Sequence, residues 1–129
     1  MSMPARLFAL ILSFGACAVF ASPAQLITHN RTDFELNAYI AGSIPSQHPT
    51  KAHSDNAVFW PIVRMSCVGH TANNICPALV RVATDTANPI DIGMVYLNLA
   101  TGVITPNTIE NNGFILYVNG PGETTIIAK

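Results

Sequence analysis

Beyond residue 21 the chain nowhere holds a helical hydrophobic period for three turns. It runs instead in short stretches of Val, Ile, Thr and aromatic residues broken by Gly, Pro and Asn, the pattern of strands that are half-buried and quickly turned. Strand-like runs fall at Gln25–His29, Phe34–Ala41, Ala57–Cys67, Cys76–Asp85, Ile90–Leu99, Val103–Thr105, Gly113–Asn119 and Glu123–Ala128. The first two predict a hairpin around Asn30-Arg31-Thr32-Asp33, with Phe34, Leu36, Ala38 and Ile40 on one face. Turn signals at Asn88-Pro89, Ala100-Thr101-Gly102 and Asn119-Gly120-Pro121-Gly122 separate later runs. The expected fold is all-β: an immunoglobulin-like or jelly-roll sandwich of about seven or eight short antiparallel strands. A parallel α/β fold lacks its helices here.

Residues 1–21 read as a secretory signal peptide. Arg6 provides the basic lead, Leu7–Phe14 the apolar run, and Val19-Phe20-Ala21 the small residues at a cleavage site. A lipoprotein anchor at Cys17, after Phe14-Gly15-Ala16, is the alternative, although Leu usually stands where Phe14 does. The 129 residues less the 21 of the leader leave 108, Ser22–Lys129, a size that suits a single sandwich domain. Losing Arg6 takes the formal charge from −1 to −2. The remaining bases, Arg31, Lys51, Arg64, Arg81 and Lys129, are scattered, which argues against nucleic acid and against a polybasic membrane surface. No later apolar run approaches the length of a bilayer span, so no transmembrane segment is expected. The expected location is secreted or periplasmic.

Export discards Cys17 and delivers Cys67 and Cys76 to an oxidising compartment, where a disulfide is expected. The eight residues between them match neither a redox Cys-x-x-Cys nor a zinc knuckle. A loop this short contributes about 2–3 kcal/mol in the chain-entropy account. If the cysteines oppose one another on antiparallel strands, Val63 and Met65 share a face with Ala78, Val80 and Val82, and Arg64 lies diagonal to Arg81 on the other. Trp60 and Ile62 would join the two arginines there as a small binding patch. The plainer alternative pairs each arginine with Asp85, Asp91 or Glu123.

Gly42–Asn56 is polar and too long for a tight turn, and reads as a mobile or binding loop. His48, His53 and Asp55, with Ser46 and Ser54 nearby, raise a metal site or a Ser-His-Asp arrangement. Neither spacing is specific. The chain has no Gly-x-Ser-x-Gly elbow, no His-Glu-x-x-His and no Gly-rich phosphate loop. The carboxylates Asp33, Glu35, Asp85, Asp91, Glu110 and Glu123 stand singly, His29 reads as a surface or strand-end residue, and the sequon Asn30-Arg31-Thr32 reads as a turn. The expectation is a non-enzymatic binding protein with no catalytic residue and no cofactor. Its ligand candidates are His48, Lys51, His53, Asp55, Trp60, Arg64, His70 and Arg81. The alternative is a periplasmic copper or zinc carrier using His48, His53 and His70, with Met65 as a candidate further ligand.

Three segments carry a resemblance: Trp60-Pro61-Ile62-Val63-Arg64-Met65-Ser66-Cys67-Val68-Gly69-His70, Ala83-Thr84-Asp85-Thr86-Ala87-Asn88-Pro89-Ile90 and Val118-Asn119-Gly120-Pro121-Gly122-Glu123. With these the chain resembles a set of small uncharacterised secreted proteins from intracellular Gram-negative bacteria. The resemblance implies passage across the inner membrane by a cleaved leader and exit through type II secretion. The secretion machinery would then be one partner, and a host or environmental protein, glycan or lipid another, for an effector-like role.

Overall fold

Among the described residues the first and last strands lie side by side and run parallel, and this pairing organises everything else. The computed structural model describes residues 21–129; the signal-peptide reading and the Cys17 alternative lie outside the described residues. Strands β1 (Gln25–Arg31), β2 (Leu36–Ile40), β3 (Ile44–Pro45) and β4 (Ser54–Phe59) precede the short helix α1 (Trp60–Ser66). Strands β5 (Ile75–Val82), β6 (Ile90–Asn98), β7 (Ile104–Thr105), β8 (Thr108–Asn111), β9 (Phe114–Gly120) and β10 (Glu123–Ala128) follow. They form two five-stranded sheets, ordered β4-β1-β10-β9-β8 and β3-β2-β5-β6-β7. Every neighbouring pair is antiparallel except β1 with β10. The result is the β-sandwich that the strand spacing predicts.

Inward-facing apolar residues from both sheets close the core. Leu36, Val82 and Ile92 of one sheet meet Leu116 and Ile126 of the other, each 2 % exposed or less, and such burial of aliphatic area drives the sheets together. Trp60, Val63 and the bonded Cys67 and Cys76 extend that core.

Three details differ from the sequence reading. The hairpin expected between the first two runs does not form, because β1 belongs to one sheet and β2 to the other. Its turn residues serve as a crossover instead. Asn30 is wholly buried there, donating from Nδ2 to the carbonyls of Phe34 and Lys51 and accepting at Oδ1 from the amide and hydroxyl of Thr32.

The strand expected over Ala57–Cys67 stops at Phe59 and a helix replaces its second half. Pro61 explains the change: proline forfeits a ladder hydrogen bond in a strand, whereas in a helix's first turn its missing N–H costs nothing. Trp60, Val63 and Cys67 then fall on one helical face and are all buried. The Gly42–Asn56 stretch is more ordered than its composition suggests, holding β3, the start of β4 and a bridge between Thr50 and Leu36.

Candidate functional site

Cys67 and Cys76 form the expected disulfide, but across a different geometry. Cys67 caps α1 and Cys76 belongs to β5, so the bridge ties helix to sheet. With 60–66 helical, the strand register that set Arg64 diagonal to Arg81 does not exist. Arg81 pairs across β5 with Asn37 and Asp91, donates from Nε to Asp91 Oδ1 at 2.7 Å and stacks its guanidinium 4.6 Å from the Tyr39 ring. Arg64 is exposed on α1. Trp60 is the reverse of an exposed aromatic: it is 2 % exposed and its indole N–H donates to the Leu99 carbonyl at 3.0 Å.

The loop candidates are dispersed. His53 turns away to bond Asp33 through Nε2 at 2.5 Å, both side chains largely exposed. Lys51 is exposed, and its carbonyl accepts from Asn30 and Ser54. His70 is exposed in the segment closed by the disulfide, whose tip turns through Asn73 and Asn74, both at positive φ. Among the described residues no group of three His, Cys, Asp or Glu side chains is placed to hold a metal ion, so His48, His53 and His70 do not converge.

Asp55 finds partners the sequence did not disclose. On the outer face of the first sheet it lies opposite His29, accepting from Nδ1 at 2.7 Å, while Arg31 Nη2 lies 2.9 Å from the same carboxylate oxygen. His29 Nε2 reaches Glu123 Oε2 at 2.6 Å. The hydrogen bond to Asp55 first, and that to Glu123 second, raise the His29 pKa against the opposing effect of desolvation. The bond from His29, then Arg31, lowers that of Asp55. Both ring nitrogens of His29 are engaged by carboxylates, so neither is free to take up a proton from a substrate in this arrangement. The cluster clips β4, β1 and β10 together.

The inner face of the same sheet carries the more unusual feature. Between the sheets lies a cavity of about 130 Å³. Its walls are aliphatic, with Leu36, Ala38, Val80, Val95 and Leu97 contributed by the second sheet and Leu26, Val58, Leu116 and Ile126 by the first. Leu26, Ala38, Val58 and Val80 face inward yet stay only partly buried, because the cavity leaves their surfaces uncovered. Exposed His48 and Ser66 mark where it opens, beneath the polar segment on one side and α1 on the other.

Polar residues interrupt the aliphatic lining: Asn37, Ser46 and Thr50 on the side of the polar segment, and one row across the first sheet. Asn56, Thr28 and Thr124 are neighbours across β4, β1 and β10, and all three line the cavity. Asn56 donates to the His48 carbonyl at 3.0 Å, tying the row to the opening. Of the sequence candidates, then, only His48 belongs to this site. The other lining residues were missed because cavity lining is a property of two sheets facing each other, which no local pattern discloses.

Comparison with known proteins adds family and location. A family model described as T2SS substrate NttC matches residues 1–129. The chain is also 58% identical to a protein of known crystal structure, the Legionella pneumophila type II secretion system substrate NttC, with a TM-score of 0.83 over 84% of this chain and 100% of that one. Among curated proteins no match is found.

Proposed function

The chain belongs to the NttC family of type II secretion substrates, and from that premise we propose that, once exported, it works as a non-enzymatic binding protein whose site is the cavity between its sheets. Its place among these substrates makes it an exported protein, secreted or periplasmic, that engages the secretion machinery. The proposed effector-like role is to carry or sense a small molecule of the host or environment.

The observation that carries this reading is the mostly apolar cavity of about 130 Å³ between the sheets, with exposed residues at its opening. Well-packed cores hold few voids larger than a water molecule, and an aliphatic cavity of about 150 Å³ stays dry and binds benzene or xenon. Keeping such a space costs stability, since each missing contact forfeits dispersion energy. A ligand that restores those contacts offsets the cost. The helix that lines the opening with Ser66 also exposes Ile62 and Met65, and Phe59 and Val68 flank it, an apolar surface of the kind that meets partners.

Methyl-resolved NMR of the mature protein in benzene-containing buffer tests this reading. Benzene should shift the methyl signals of Leu26, Val58, Val80 and Val95 and raise the melting temperature. Ala38→Leu, which fills the space, should raise the melting temperature by itself and abolish the response to benzene. Methyl signals that do not respond to benzene would overturn the proposal.

A further inference from the structure

We infer that the cavity is built for an amphipathic ligand whose uncharged hydroxyl or carbonyl group is held by Thr28 and Thr124, with its apolar body against the second sheet; this rests on the binding reading above. Thr28 and Thr124 are adjacent across the parallel β1–β10 pair, and both line the cavity. Neither hydroxyl takes part in a hydrogen bond among the described residues. No fully buried side-chain polar atom is left without a partner among those residues, so both hydroxyls open onto the cavity.

A site meant only for hydrocarbon gains nothing from this arrangement, since hydroxyls turned toward an apolar space lose water without gaining a partner. Valine has the same shape and β propensity and would line the wall without that cost. Two adjacent hydroxyls, each able to donate and accept, instead suit one ligand oxygen placed between them. Asn56 continues the row toward the opening. One N–H of its Nδ2 goes to the His48 carbonyl, which leaves the second N–H as a donor and Oδ1 as an acceptor.

The lining also selects against charge. Among the described residues no Lys, Arg, Asp or Glu lines the cavity, and the titratable group that does, His48, stands exposed at the opening. A carboxylate or ammonium carried inside would be desolvated with no counter-charge to meet it. The size admits a single ring or a short alkyl chain. The ligand class is therefore a small neutral amphiphile, such as a monocyclic phenol or a short-chain alcohol or ketone.

Phenol, benzene and benzoate are the probes, titrated into the mature protein and followed by the same methyl signals. Phenol and benzene should both bind and benzoate should not at neutral pH. The paired change Thr28→Val with Thr124→Val should weaken phenol roughly 10-fold, as expected for stranding a buried hydroxyl, and leave benzene binding as tight or tighter. Thr28→Ser with Thr124→Ser, which keeps both hydroxyls, should retain phenol binding and guards against a misfolded valine variant. If benzene enters but the valine pair leaves phenol unchanged, or benzoate binds as well as phenol, the amphiphile inference fails while the binding reading stands. If no probe enters, both fail.

Discussion

His29 on the first strand bonds Glu123 at the start of the last, Nε2 to Oε2 at 2.6 Å, across 94 residues of chain. With Asp55 on the other ring nitrogen, one imidazole joins three strands at the parallel seam of the sandwich.

The sign of its pH dependence follows from the two shifts. The His29 pKa is raised above its ordinary value of about 6.5, so its stabilisation is complete below about pH 6.5 and is lost as pH rises through the raised value. The Asp55 pKa is lowered, so its contribution is present above about pH 3.9 and is lost as pH falls through the lowered value. The clip is strongest between about pH 4 and 6.5. Melting curves of wild type and His29→Gln should therefore differ more at pH 5.5 than at pH 9; an equal gap at both would show that the imidazolium is not what holds the strands.

Removing the disulfide should loosen helix from sheet without changing the fold. Cys67 and Cys76 are both buried at 1 % exposure, so the Cys67→Ala, Cys76→Ala pair should lose at least about 2–3 kcal/mol in urea titration. A midpoint unchanged from wild type would contradict this.

Trp60 is the chain's single tryptophan, so its fluorescence reports on one buried place. Native emission should be that of an apolar environment and shift to the red on unfolding. Trp60→Phe leaves the Leu99 carbonyl without its donor and should cost about 2 kcal/mol by circular dichroism melts. Emission at the fully solvated wavelength in the native state would be incompatible with the packing described.

Asn30 should prove the most sensitive polar residue. Its wholly buried amide holds the crossover between sheets through five hydrogen bonds, so Asn30→Ala strands several buried groups and should cost about 3 kcal/mol or more. Asn30→Asp keeps the acceptor and loses the donor, and should fall short of wild type as well. A surface turn residue, as the sequon first suggests, would tolerate either change.

Much of the strand content was legible because alternation and turn residues are local. The runs at Ile90–Leu99 and Glu123–Ala128 appear as β6 and β10 with ends shifted by at most one residue. The helix at Trp60 was legible in principle, through Pro61 and the i, i+3, i+7 spacing of Trp60, Val63 and Cys67. It was obscured because Val, Ile and Trp also suit a strand. Sheet membership was not legible. The alternation of Phe34–Ile40 says that one face is buried, and says nothing about which sheet buries it.

By itself the sequence determined a chain of short strands with two cysteines free to pair, because periodicity, turn chemistry and cysteine spacing act over a few residues. The tertiary structure alone decided that β1 would join β10, and that one pairing placed His29 beside Glu123 on one face and Thr28 beside Thr124 on the other. Contacts between positions nearly a hundred residues apart depend on how the two sheets close over a shared core, and no local pattern encodes that closure.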